Sequence, residues 1–541
     1  THKQGVYSLL SLVQALEKTQ GSQHRVKLLW IANNSQSVNP TDKIEPQKAT
    51  VFGLLKTVAQ EKSWLTTRHL DLPLAAELNS SYIWQELDSA DNELEVAIRD
   101  DERLVSRLET VDMTDENKQE IPIKMRGTYL LTGGLGGIST IIAKYLLENY
   151  QTNLILVGRT QIEEHNEQVS VKIRRYQELE KLPGSVIYQA VDICDLVSLQ
   201  QVVEKATAQW GTQLDGVLHM AGISQEKPIE KETPSSIAAV LRPKVSGTWV
   251  LHQLLKHKED ALFIHFCSVN GFFGGANVAT YSAANSFQSA WSDYQYKNGF
   301  KSYCCSWSMW NRIGMSKDYQ FQELSRAKGY FTITPEQGIN SFLAALSHPK
   351  NNLLIGLDGT KTNVERLIHD CQPKQKLTAY FTSSTPEISV NQLQDLQLCD
   401  YFGISNQVDF VQLEQIPLTE TGEINRERLA AIYGGLITGE QKKPQNETQR
   451  QLVEIFQEVL NLSSVGINDN FFELGGHSLL ATQVISRIRK AFAADITISN
   501  LFKEPTIANL SKIILNTDSA LVQQLQVSSL DEVENYEEIE L

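Results

Sequence analysis

Apolar positions recur at helical spacing through "GVYSLLSLVQALEK" (5–18), which predicts an amphipathic helix near the start of the chain. "VKLLWIAN" (26–33) is a short continuous apolar run, as in a buried strand. "LEVAIRDDERLVSRLE" (94–109) has two alternating arms around Asp100-Asp101 and predicts a hairpin. Residues 1–120 therefore read as an α/β lobe. No glycine-rich turn follows Asn33, so a structural lobe without a phosphate site is expected there.

A second α/β block, 121–371, opens on "GTYLLTGGLGGISTIIAKYLLENY" (127–150), a strand, a glycine turn and a helix. Glycines in that setting let the backbone approach a pyrophosphate, which the free N–H groups of the helix start then bind. The alternative is an ordinary tight turn. The cofactor loop is taken as Thr132, Gly133, Gly134, Leu135, Gly136, Gly137 and Ile138. "TNLILVG", "AVDICD" and "LDGVLHMAG" supply further strands. Their ends offer Arg159, Asp192, Ile193, Ala221 and Gly222 as cofactor contacts. An acidic residue at the end of the second strand would suit NAD; Arg159 suits a 2′-phosphate, which favours NADPH over a merely solvated arginine.

Chemistry concentrates in "FIHFCSVNGFFGGANVATYSAANSF" (263–287). Ser268 ends a strand, Tyr281 begins a helix, and Asn285 lies one turn on, along the same face. A phenol can donate a proton to a carbonyl as hydride arrives, and a nearby cation would tune its pKa down. Ser268 could hold the carbonyl oxygen. Lys244, on the helix of "AAVLRPKVSGTWVLHQLL", is the candidate cation.

Length and charge add limits. At about 150 residues per domain, 541 residues predict three to four domains. Hydrophobic and charged fractions of 41% and 21% fit folded protein. A net charge of −15 argues against a nucleic-acid partner. No apolar run approaches the ~18 residues of a membrane span, so no membrane partner is expected. The six cysteines form no CxxC pair and read as reduced thiols of a cytoplasmic protein, with no metal site. The chain opens on Thr1 just before a helix and reads as a piece of a longer protein. Beyond 371, short strands ("KLTAYFT", "VDFVQL") and the loop "LTETGEINRERL" occupy 372–436, and "EQKKPQNET" is a polar linker. Residues 446–516 read as a helical bundle and 517–541 as an acidic tail.

Short-chain dehydrogenases usually carry lysine where Asn285 stands. With Lys244 and Asn285 exchanged, residues 5–370 resemble the ketoreductase domains of modular polyketide and nonribosomal peptide synthetases, which pair a pseudo-Rossmann lobe with a catalytic lobe. The resemblance implies Tyr281 as proton donor, Ser268 orienting the carbonyl, and Lys244 and Asn285 supporting the tyrosine and a proton relay. Two departures stand out: Ser139 replaces the last glycine of the family's loop, and neither stereochemical signature is met, with Ser224-Gln225-Glu226 and Phe273 at those positions.

"NDNFFELGGHSLLATQVISRIRKAF" resembles the phosphopantetheine site of peptidyl carrier proteins, with Ser478 at a helix start and Leu480, Val484 and Ile488 on its core face. This implies 4′-phosphopantetheine on Ser478 and a phosphopantetheinyl transferase as partner. "LTETGEINRERL" resembles the last motif of the small C-terminal lobe of adenylation domains, but Glu423 stands where that motif has its acid-activating lysine. A carboxylate repels a carboxylate substrate, so 372–436 is expected to be a degenerate lobe with a structural role, completed by strands from outside this chain. The expected fold class is α/β. It comprises two Rossmann-like lobes, one of them catalytic and of short-chain dehydrogenase type, a small α+β pseudo adenylation subdomain, and a four-helix-bundle carrier. The arrangement resembles a depsipeptide synthetase module between an upstream adenylation domain and a downstream condensation domain. It implies reduction of an α-ketoacyl thioester to an α-hydroxyacyl thioester. The alternatives are β-ketoacyl reduction, or a scaffold and carrier with a silent reductase.

Overall fold

The computed structural model describes residues 5–368, apart from 20–23, 74–79, 90, 92, 112–118, 163–166, 259, 317–324 and 327. Beyond 368 it describes 377–382, 408–413, 416 and most of 444–515. The chain divides into two compact units, 1–107 with 111–367, and 108–110 with 368–541.

The first unit starts with α1 (Val6–Thr19), β1 (Val26–Asn33), α2 (Thr50–Glu61), β2 (Leu65–Leu72), α3 (Ser80–Asp88), β3 (Glu95–Arg99) and β4 (Glu102–Val105). The strands form one sheet in the order β1-β2-β3-β4, parallel except for β4. The hairpin expected from the sequence is present: Arg99 pairs with Glu102 across Asp100 and Asp101, both at positive φ (49° and 62°). Two left-handed residues are what a two-residue turn needs to match the strand twist.

The second sheet follows: β5 (Thr128–Thr132), α4 (Gly137–Tyr150), β6 (Asn153–Gly158), α5 (Glu167–Leu179), β7 (Ser185–Ala190), α6 (Leu196–Trp210), β8 (Leu214–His219), α7 (Pro234–Leu255) and β9 (Leu262–Ser268). Then come α8 (Asn270–Phe273), α9 (Ala279–Lys297), β10 (Lys301–Trp307), the short β11 (Met309–Trp310) and β12 (Thr332–Ile333), α10 (Pro335–Ser347) and β13 (Asn352–Ile355). Seven strands run parallel in the order β13-β10-β9-β8-β5-β6-β7. Both faces are apolar, and alternate residues go to opposite sides. Leu154 and Leu156 of β6 pack with Ile142 and Leu146 of α4; Ile155 and Val157 pack with Leu199 and Val203 of α6. Each such buried side chain contributes about 1.5–3 kcal/mol. The order reverses between β5 and β8, and the crevice of a doubly wound sheet lies at such a switch point.

The two lobes share a core. Leu54 and Val58 of α2 cluster with Ala283 and Ala284 of α9 and with Ile237 of α7. Gly53 makes this possible: a Cβ there would stand 2.3 Å from the Ser282 carbonyl carbon.

In the second unit, β14 (Leu377–Phe381) pairs in parallel with β15 (Val408–Gln412). Helices Glu447–Leu460 and Ser478–Phe492, with helical residues 507–515, bury Leu452, Phe456, Phe471, Val484, Ile488 and Leu510. Phe456 meets Phe471 edge-on at 5.2 Å. Glu423 and its loop, Gly475, Gly476 and His477, Cys371 and Cys399, and the acidic tail lie outside the described residues. No described helix is long and apolar enough to cross a membrane.

Candidate active site

The glycine turn sits at the tip of β5. Gly133 and Gly134 both have positive φ (82° and 45°). A side chain on Gly134 would meet Tyr188 Cε2 at 2.9 Å, so the bare backbone is required there. Thr132 ties this tip to β8. Its hydroxyl lies 2.7 Å from His219 Nδ1 and accepts the N–H groups of Met220 and Ala221, both at 3.0 Å. His219 Nε2 lies 3.1 Å from the Pro243 carbonyl, so that nitrogen carries the proton and Nδ1 accepts from Thr132. Burial pushes His219 well below its ordinary pKa and keeps it neutral. The Thr132 side chain thus ties the tip of β5 to the turn at Ala221. Ser139 is buried in the first turn of α4, in keeping with a small residue at a packing position.

Arg159 is exposed just past β6. Two cations that sequence reading missed stand near it on α5. Lys172 donates to Thr160 Oγ1 at 2.6 Å, and Arg175 donates to the Leu135 carbonyl of the glycine loop at 2.8 Å. Burial, then the charges of Arg159 and Arg175, hold the Lys172 ammonium below its usual pKa. Like charges gathered beside a glycine loop suit an anion. Asp192 accepts from Arg242 Nη1 at 2.5 Å and from the Cys194 N–H at 3.0 Å. Ile193 is buried against Gly247.

Ser268, Tyr281 and Asn285 come together at the ends of β9 and α9. Burial pushes the Tyr281 phenol above its ordinary pKa; hydrogen bonding by Ser268 and Asn285 opposes the shift, and Cys267 adds to it. Asn285 is fully buried. Its Nδ2 donates to the Tyr281 carbonyl at 2.8 Å, and its Oδ1 has no hydrogen-bond partner among the described residues.

Lys244 is carried by α7. It is buried, and its ammonium donates to the Phe266 carbonyl at 2.9 Å and to Gln288 Oε1 at 2.5 Å. Those acceptors hold the ammonium between β9 and α9. Gln288 lies one turn beyond Asn285 and also accepts from Cys267 Sγ at 3.4 Å. Gly222 is tight against the lysine: a Cβ there would meet Lys244 Cε at 2.9 Å. The expected turn residue and the expected cation are therefore neighbours.

Residues 127–312 match the KR domain model, and 450–514 match the model for a phosphopantetheine attachment site. The chain holds a ketoreductase domain and a carrier domain. Polyketide synthase PksM of Bacillus subtilis (strain 168) is 28% identical over 295 residues, 54% of this chain and 7% of that protein. The chain thus spans a small part of such relatives. A solved structure described as an adenylation, ketoreductase, and pseudo Asub multidomain structure of a keto acid-selecting NRPS module is 27% identical. It covers 80% of this chain and 37% of its own, with a TM-score of 0.65. A ketoreductase domain from the bacillaene assembly line, 24% identical and covering 67% and 84% of the two chains (TM-score 0.59), shares the fold. In the carrier domain, Ser478 is the first residue of its helix, where backbone N–H groups are free, and Val484 and Ile488 are buried as their spacing predicted.

Proposed function

We propose that the ketoreductase domain uses NADPH to reduce an α-ketoacyl group, held as a thioester on 4′-phosphopantetheine at Ser478, to the α-hydroxyacyl thioester. The observation that carries this reading is the likeness, over 80% of the chain, to a module described as keto acid-selecting. Bound NADPH supplies the hydride. Gly133 and Gly134 would leave room for its pyrophosphate, and Arg159, Lys172 and Arg175 would offer positive charge to its 2′-phosphate. The Ser268 hydroxyl holds the ketone oxygen. Tyr281 donates its proton to that oxygen as charge develops; a phenol at or above its ordinary pKa carries that proton at neutral pH. Asn285 supports the relay through which the phenol regains its proton, and its buried Oδ1 is an acceptor that a relaying donor could meet. Lys244 fixes Gln288 and the β9 end, and so the spacing of Ser268 from α9. In this reading a phosphopantetheinyl transferase arms Ser478. An upstream adenylation domain loads the keto acid, a downstream condensation domain takes the product, and the whole works in the cytoplasm. Tethering gives the ketone a high effective concentration, so the free acid need not bind tightly.

The polyketide synthase relatives favour a second reading, reduction of a β-ketoacyl thioester. Mass spectrometry separates the two. The phosphopantetheinylated chain is loaded with an α-ketoacyl or a β-ketoacyl group and given NADPH. A gain of two hydrogens on the α-ketoacyl form alone is expected; a gain on the β-ketoacyl form alone would sink the proposal.

A further inference from the structure

Helix α9 carries Tyr281 in its first turn, yet its N-cap, Val278, makes no side-chain capping bond. The chain just before it is also awkward. Asn277 has φ 66°, a left-handed conformation that a non-glycine residue holds only when its surroundings enforce it. The enforcing contacts come from two places. The Asn277 carbonyl accepts the Lys227 N–H at 2.6 Å, which joins the loop before α9 to the loop after β8. The Asn277 N–H donates to Glu61 Oε1 at 2.7 Å. Glu61 is the last residue of α2, in the lobe without a glycine loop. Its other oxygen, Oε2, accepts the N–H of buried Ile229 at 2.9 Å, from the loop after β8. One carboxylate therefore bridges both loops that flank the catalytic tyrosine.

Neighbouring residues of the same lobe repeat the pattern. Gln60 Nε2 donates to the Phe273 carbonyl at 2.7 Å. Gln14 Nε2 donates to the carbonyls of Ile229 (3.0 Å) and Glu232 (2.9 Å). Lys62 pairs with Glu230 at 3.1 Å. Glu232 in turn accepts from Thr280 Oγ1 at 2.8 Å, inside the first turn of α9. A carboxylate at this end of the helix also meets the positive end of its dipole.

We propose that Glu61 is a positioning residue for Tyr281, through which the lobe lacking a cofactor loop sets the first turn of α9 and the two loops around the ketone. This rests on the reductase reading above. Glutamine at position 61 keeps the shape but offers one acceptor oxygen and an NH₂ that faces one of the two N–H donors. One bond is lost, and the first turn of α9 is released by a fraction of an ångström.

The test compares the full chain, Glu61→Gln and Asp91→Ala with one carrier-bound ketone and NADPH. Asp91 pairs with Arg68 and Arg103 within the same lobe and touches neither loop, so it reports loss of lobe stability alone. Glu61→Gln should lower kcat about 10-fold, since a misplacement of about 1 Å can cost about 100-fold and this one is smaller. Its NADPH Kd should stay unchanged, and hydrogen exchange should quicken at the Ile229 and Asn277 amides. Asp91→Ala should lower the melting temperature and leave kcat alone. Wild-type kcat in Glu61→Gln overturns the proposal, and so does an equal kcat loss in Asp91→Ala. If Glu61→Gln does not fold, Gln60→Ala, which frees only the Phe273 carbonyl, should cost about threefold in kcat with Kd unchanged; no loss there overturns it. If the wild-type chain reduces no ketone, the reductase reading fails by itself, and unchanged exchange at the two amides still rejects the clamp.

Discussion

The C-terminal edges of the two parallel sheets have opposite fates. After β5 the chain turns through two bare glycines, and Arg159, Lys172 and Arg175 gather beside the gap. After β1 it turns through Asn34 (φ 51°) into Ser35, whose N–H and hydroxyl donate to Asp71 Oδ1 at 2.9 and 2.5 Å. Arg99 donates to Asp71 Oδ2 at 2.6 Å and also to Asp42. His69 lies 3.2 Å from the Ser35 hydroxyl, and burial pushes its pKa to about 3. Serine, histidine and aspartate meet here without forming a nucleophile: the serine donates straight to the aspartate, and all three are sealed from solvent. The comparison teaches that a Rossmann-type edge becomes structural when side chains refill the space that glycine keeps open.

The largest expected effect tests the open edge. Tyr281→Phe should cut reduction about 10²- to 10⁴-fold, the worth of a general acid, while NADPH still quenches or shifts fluorescence as before. Wild-type turnover would remove the tyrosine from the chemistry. The filled edge comes next. Asp71→Asn removes one of the two carboxylates that hold the buried Arg99, the other being Asp42, and should cost about 1–3 kcal/mol in urea unfolding, with NADPH affinity of the folded protein intact. Weaker NADPH binding at unchanged stability would mean that the first edge is a ligand site after all. The smallest effect concerns the basic cluster. Arg159→Ala should weaken NADPH about tenfold, close to 1.4 kcal/mol, and NADH far less, because Lys172 and Arg175 remain. Equal losses for both cofactors would remove the 2′-phosphate role.

What could be read from the sequence was local. The Asp100-Asp101 hairpin, the strand–glycine–helix unit, Ser268 at a strand end and Tyr281 at a helix start each depend on neighbours a few residues apart. The missing parts are assembled by the fold. Gln288 meets Lys244 only because α7 crosses α9. Glu61 meets Asn277 and Ile229 across more than 160 residues of chain. Ser35, Asp71 and Arg99 come from the ends of three strands, so the absence of glycine after Asn33 hinted at a structural lobe without disclosing what fills it. Lys172 and Arg175 sit on α5 with no motif to mark them. The partner of the Lys244 ammonium was hidden in the same way: Gln288 lies 44 residues further along the chain.

Gly53 has a consequence for anyone who rearranges such modules. With no room for even a methyl group between α2 and the Ser282 carbonyl, the helix that bears the tyrosine was shaped against one particular neighbour. A cut before residue 121, chosen because every reactive group lies beyond it, would strip Ala279, Ala283 and Ala284 of their cover and unmoor the loops Glu61 holds. The portable part for transplantation is the whole of 5–367, with the silent lobe travelling as cargo that the chemistry cannot leave behind.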